Sequence, residues 1–257
     1  MAFSQNTDSF SKVDRLIIVC CHAVWLGGPR GGQSESEWAI EPFQHGETPT
    51  FIEHIKAGLR ILSEQLNSLL VFSGGPTKPK ITHLTEAETY LNLALAPNLI
   101  SAHFPHTHLT TETHATDSHQ NLLFSLLRFH ALTARYPSHI TLISHAFKRD
   151  RFTEIHRDAI RWPREKFSFV GIDPPESVTP RAVLEDVEGG VVGAMREWRA
   201  DRYGVGEVLG GKRKKRGWKS GDQVVLGEGV EKGVRELVDW RGGETGMEVY
   251  PGELLWG

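Results

Sequence analysis

The run Leu16-Ile17-Ile18-Val19-Cys20-Cys21 decides the fold class. It is continuously apolar, and Ile17, Ile18 and Val19 are β-branched. A strand with one wet face alternates, whereas a strand buried on both faces reads as an unbroken apolar run, as in a parallel sheet. Further strands are predicted at Leu69–Phe72, Ile140–Ile143 and Phe167–Val170. Amphipathic helices separate them. Phe51, Ile52, Ile55, Leu59, Leu62 and Leu66 form one stripe behind a Thr50/Glu53 capping box, and Thr85 with Glu88 caps a second helix that ends by Pro97. A third opens at Asp117 and carries Leu122, Leu123, Leu126, Leu127 and Phe129 inward, and a fourth spans Arg151–Ile160. Strands alternating with helices give βαβ units, hence an α/β fold with a mostly parallel sheet.

The organisation is a polar tail over 1–14, an α/β domain over 15–175 and an extension over 176–257 that packs on it. Val183–Arg199 can be helical despite Gly189 and Gly190, whereas Tyr203–Gly233 reads as loop. Residues Ser101–Thr116 read as a polar His/Thr loop, and Gly27–Gly32 as a glycine loop.

Composition narrows the partners. Of 257 residues, 39% are hydrophobic and 24% charged, the balance of a globular protein, and the net charge of -3 recruits neither nucleic acid nor an anionic membrane. Residues 1–15 lack the apolar core of a signal peptide, and no apolar run is long enough for a bilayer. The two cysteines, Cys20 and Cys21, are adjacent, and on a strand they face opposite ways and cannot pair. The expected compartment is reducing, cytoplasmic or nuclear, with no membrane partner.

Ligands of open parallel sheets sit beyond the strand C-termini. Four such ends carry unusual residues: His22 before the glycine loop, Ser73-Gly74-Gly75, Ser144-His145 and Gly171-Ile172-Asp173. Gly74 and Gly75 leave the backbone open to close approach by a phosphate or carboxylate, or simply form a tight turn. Asp117 caps its helix with Gln120 as partner, and the same helix start, with Ser118 and Asn121, can receive an anion. His145 stands where a general acid or base would be placed. Lys148, Arg149 and Arg151 open the next helix, where cations oppose the dipole and call for an anion. Glu86, in the first turn of its helix, is favoured there by the dipole alone and is kept as a ligand candidate.

The histidines 103, 106, 108, 114 and 119 lack helical spacing or accompanying ligands, so no metal centre is assigned. The basic run Lys212–Arg216 reads as a solvated loop rather than a nucleic-acid contact. No Walker or GxGxxG fingerprint is present.

These stretches resemble the DUF218 (domain of unknown function 218) family, the YdcF/SanA/ElyC-like proteins, in its fungal cytoplasmic branch. The likeness runs through Ile17–His22, Phe43 to Gly58, Ser73–Gly75, Thr85–Tyr90, Asp117–Phe124, Phe147–Arg149, Arg151-Phe152, His156 and Gly171–Pro174. A weaker part continues through Trp198, Asp201, Tyr203-Gly204 and Lys212-Arg213. The resemblance implies a Rossmann-like three-layer sandwich with its motifs at the strand C-termini. It also raises S-adenosylmethionine as a ligand, since a bacterial member is reported to bind it. The chain departs from the family in lacking a membrane anchor and an acidic pattern for adenosine ribose. The expected partner is an anionic small molecule, phosphorylated or nucleotide-like, that is either hydrolysed or transferred, or bound without reaction. His145 and Asp117 are the catalytic candidates, with His22, Ser73–Gly75, Glu86, Ser118, Asn121, Lys148, Arg149 and Arg151 around the ligand.

Overall fold

The computed structural model describes residues 10–96, 99, 106–186, 190–218, 226 and 229–256. The first nine residues of the polar tail, Pro97, His103 and Gly189 therefore lie outside the described residues.

The apolar run forms β1 (Arg15–Cys20), the middle strand of a five-stranded sheet. The others are β4 (Ser68–Ser73), β5 (Leu109–Glu112), β6 (His139–Ser144) and β7 (Phe167–Gly171), in the order β5-β4-β1-β6-β7. Every pairing is parallel. Between β1 and β4 lie the two short antiparallel strands β2 (Val24–Trp25) and β3 (Trp38–Ala39).

Helices cover both faces, as the unbroken β1 run requires. On one face α1 (Thr48–Glu64) and α2 (Glu86–Ala94) pack Phe51, Ile55, Leu62 and Tyr90 against Ile17, Val19, Leu70 and Phe72. On the other, α3 (Ser118–Thr133) sets Leu122, Leu126 and Phe129 against Leu16, Ile18 and Val71. Cys20 and Cys21 are free, buried and divided between these two cores. This is a Rossmann-like three-layer sandwich.

Several local expectations need correction. Helix α1 starts at Thr48 behind Glu47, so Thr50 lies inside it and forms no capping box with Glu53. Pro49 accounts for the earlier start, since its fixed φ suits the first turn. Leu66 falls past the helix end and is exposed. The Thr85/Glu88 box is present as read. The His/Thr loop contains the edge strand β5, whose Thr110 and Thr111 are β-branched but polar. Residues 151–160 form a π-helical segment, Arg151–His156, followed by the short α4 (Arg157–Ala159).

The glycine loop wraps a carboxylate: Glu37 accepts N–H bonds from Arg30 and Gly32, both at 2.7 Å. Gly31 and Gly32 take positive φ there, as glycine readily does.

The C-terminal stretch is more helical than its composition suggests. It holds α5 (Arg181–Leu184), α6 (Val191–Ala200), α7 (Glu207–Lys215) and α8 (Lys232–Asp239). The Val183–Arg199 helix is split between α5 and α6, and α7 occupies part of the expected Tyr203–Gly233 loop. Tyr203, Val234, Leu237, Tyr250 and Trp256 join the core over α3. Trp256 donates its indole N–H to Ile160 O at 2.8 Å and packs edge-on against Tyr136. No helix among the described residues is long and apolar enough to cross a membrane. Replacing Trp256 by Ala should lower unfolding free energy by about 3–5 kcal/mol in urea titrations. A loss below about 1 kcal/mol would mean that the C-terminal end is not part of the core.

Candidate functional site

The chain leaves β1 for β4 and β5 on one side, then returns through α3 to β6 on the other. The strand order therefore reverses between β1 and β6. In parallel sheets the crevice at that reversal is where ligands sit. Beyond the C-termini of these two strands lies a cavity of about 430 Å³. His22, Glu47, Glu86, Asp117, Ser118, Asn121, His145, Lys148 and Arg151 line it from the sheet side. Val191, Ala194, Trp198, Leu209, Lys212 and Arg216, from α6 and the α7 region, close the opposite side.

Two neighbouring strand ends thus place His22 and His145 side by side, with ring centroids 4.4 Å apart and the planes tilted by 32°. His54, from the buried face of α1, meets His145 edge-on at 5.0 Å. His54 Nε2 lies 2.9 Å from Ile172 O, so that nitrogen carries the proton and donates. Burial, then the positive charge of Lys148 and the neighbouring imidazole of His54, holds His145 well below the ordinary histidine range. His22 is lowered in the same way, and His54 falls to about 4, chiefly through burial. All three are neutral near pH 7.

Cations gather next to them. Lys148 Nζ is 3.4 Å from His22 Nδ1, and burial together with Arg151 draws its pKa down to about 8. Arg151 is pulled down to about 10 by burial and by Arg216, and it stays charged near neutrality. Its buried Nε has no hydrogen-bond partner among the described residues. Arg216 donates to Thr116 O at 2.7 Å. Glu86, at the start of α2, accepts from Thr77 Oγ1 at 2.5 Å, and burial raises its pKa despite that bond.

The remaining candidates are committed to the protein itself. Gly74 N–H donates to Glu112 O at 3.0 Å and Gly75 N–H to Ala115 O at 2.6 Å, so neither is free for a phosphate. Gly74 instead permits close packing, for a Cβ there would lie 2.7 Å from Glu86 Oε2. Ser73 is wholly buried and donates to Glu112 Oε2 at 2.6 Å. Asn121 donates to Ser73 O at 2.7 Å, which accounts for a polar residue early in an apolar helix. Ser118 Oγ bonds His156 Nε2 at 2.8 Å. Arg149 points away from the cavity, its guanidinium over the Phe169 ring at 4.9 Å. Lys148 closes a short 3-10 turn, Ala146–Lys148, that runs into the helical residues before Arg151, so the dipole argument for an anion bears on Arg151 more directly than on Lys148.

Asp117 caps α3 by accepting Gln120 N–H at 2.9 Å, and its second oxygen takes the Arg213 Nε–H. Gln120 reaches back to Thr116 N rather than to Asp117. Both Asp117 and Arg213 are nearly buried, and Arg213 also donates to Tyr203 O at 2.6 Å. The basic run is therefore not a solvated loop. Lys212–Lys215 end α7, Lys212 pairs with Glu197, and Arg213 clasps the core. Cys20 reaches the cavity wall, but burial raises its thiol to about 12, which removes it as a nucleophile.

The sequence reading missed Glu47, His54 and Arg216. His54 had a usable signal: it falls between Phe51 and Ile55 on the buried stripe, where a polar residue needs a reason.

A protein of Saccharomyces cerevisiae described as uncharacterized protein YOR238W is 28% identical over 203 residues, covering 62% of this chain and 67% of its own. No family model matches the chain. No solved structure matches it.

The Asp117–Arg213 pair sets a pH signature. Burial alone would raise the Asp117 pKa, but the charge and hydrogen bond of Arg213, with His119 and the Gln120 N–H, hold it below the usual carboxylate range. A depressed folded-state pKa stabilises the fold above the unfolded value, and that gain is lost as pH falls through the folded value. The stability difference between wild type and Asp117→Asn should therefore be full near neutrality and shrink below about pH 4. Arg213→Met, which strands a buried carboxylate, should cost about 3–5 kcal/mol. Chemical denaturation across pH measures both, and a difference that persists unchanged at low pH would contradict the ion pair.

Proposed function

We propose that the cavity binds an anionic small molecule, phosphorylated or nucleotide-like, and acts on it by hydrolysis or group transfer. The observation that carries this reading is the crowding of Lys148, Arg151 and Arg216 around one cavity. Burial first, and then a neighbouring like charge, depresses the pKa of both Lys148 and Arg151, and neither forms a salt bridge with a carboxylate among the described residues. Crowded cations at a half-buried site, only partly offset by Glu47, Asp117 and Glu197, are stabilised when an anion arrives. The start of α3 opens on the same cavity and adds a dipole of the right sign. The opposite wall, with Val191, Ala194, Trp198 and Leu209, suits the organic part of such a ligand. His145, neutral and next to these cations, is the candidate base. Asp117, occupied by Arg213, holds the wall of the site in place rather than moving protons. The two free, buried cysteines are in keeping with a cytoplasmic location, and the DUF218 resemblance with a site at the strand ends.

A second reading has its own support. Asp117 is tied up by Arg213, and although Ser118 Oγ lies 2.8 Å from His156 Nε2, the buried Nδ1 of His156 has no partner among the described residues to orient it as a base. On that reading the cavity holds a nucleotide or S-adenosylmethionine without reaction. Calorimetry with ATP and with inorganic phosphate tests the anion site. Arg151→Met and Lys148→Met should each weaken binding at least about tenfold, the loss of roughly one charge-assisted contact. Unchanged affinity in both variants would exclude this site. Product formation that stops in His145→Ala separates catalysis from storage, whereas intact ligand after prolonged incubation supports the second reading.

A further inference from the structure

His22, His54 and His145 come from three separate elements: the end of β1, the buried face of α1 and the end of β6. One ring nitrogen of each lies within 4.8 Å of the others. His54 and His145 are 0% and 2% exposed, so their ring nitrogens are cut off from bulk water. Among the described residues, His54 Nδ1, His22 Nε2 and both nitrogens of His145 have no hydrogen-bond partner.

Ring stacking does not account for this. A phenylalanine at position 145 would stack on Phe147 and His22 equally well and leave no polar atom stranded. Each unsatisfied buried nitrogen costs about 1–3 kcal/mol. Something with affinity for imidazole lone pairs would remove that penalty. His54 is already set for it. Donation from Nε2 to the Ile172 carbonyl fixes its tautomer and leaves a lone pair on Nδ1, the arrangement by which backbone carbonyls orient metal-bound histidines. Glu47 Oε2 lies 3.8 Å from His145 Nε2, too far for a hydrogen bond, and puts a carboxylate beside the trio.

We propose that His22, His54 and His145 form a binding site for one divalent transition metal of the zinc class, with Glu47 beside it. Neutral imidazoles with one carboxylate select zinc and its neighbours rather than magnesium or calcium, which demand oxygen. Metal–nitrogen bonds of about 2.0–2.1 Å require the ring nitrogens to draw in to roughly 3.4 Å of one another. Small rotations of the His22 and His145 side chains at the strand ends provide that closure. The proposal does not rest on the anion reading, although it turns His145 from the candidate base into a metal ligand. Lys148, whose ammonium touches His22, opposes a metal cation and favours a ligand anion.

That opposition makes the test sharp. The protein is stripped with a chelator, dialysed against zinc chloride, and its bound metal counted, with cobalt(II) as a spectroscopic substitute. One zinc per chain is expected, together with the visible absorption of low-symmetry cobalt. His54→Phe and His145→Phe, which keep the ring packing, should each lower zinc affinity at least tenfold, with folding checked by circular dichroism. Lys148→Met should tighten zinc binding while it weakens phosphate binding, so the two sites fail or stand separately. Retention of less than half an equivalent of zinc would overturn the proposal, as would zinc binding unaltered by both phenylalanine variants. Should those variants unfold, loosened or unchanged zinc binding in Lys148→Met would overturn it as well.

Discussion

A parallel sheet obliges the chain to return to the same edge before each new strand, and the rest of this molecule follows from that constraint. Helices must carry the chain back across both faces, so β1 is buried on two sides and, after Arg15 at its entry, can hold nothing polar until it ends. The first polar residue after it, His22, emerges at the edge where the other strands also finish. The reversal of strand order beside β1 then separates the loops and opens the cavity. Chemistry gathers there because the other surfaces of the sheet are occupied by packing.

Much of the fold was legible in the sequence because burial on two faces leaves an unbroken apolar run and burial on one leaves a stripe. Leu16–Cys21 and the Phe51–Leu62 stripe are readable for that reason. The edge strand β5 was not, because one of its sides is unpaired and Leu109-Thr-Thr-Glu lacks the apolar signature. The C-terminal helices were hidden by glycine and by the basic run, whose buried member, Arg213, is indistinguishable in sequence from its exposed neighbours.

The site was legible in part. The strand-end rule brought His22, His145 and Lys148 together correctly, since parallel topology alone determines which ends are neighbours. It could not say where hydrogen bonds are already spent. The N–H groups of Gly74 and Gly75 look available in a sequence, yet Glu112 and Ala115 consume both. His54 and Arg216 escaped notice for the opposite reason. Each reaches the site from an element whose relation to the sheet edge no local pattern specifies.

The Asp117–Arg213 clasp joins residues 96 positions apart. A growing chain can form the sheet, its helices and the histidine trio well before α7 exists. Yet one wall of the cavity stays missing until Arg213 is synthesised and docks on Asp117. Only α8 and the segment that ends at Trp256, which complete the core over α3, come later still. A nascent chain that stops before α7 would carry the sheet without an enclosed pocket, so ligand capture reports that synthesis has passed Arg216.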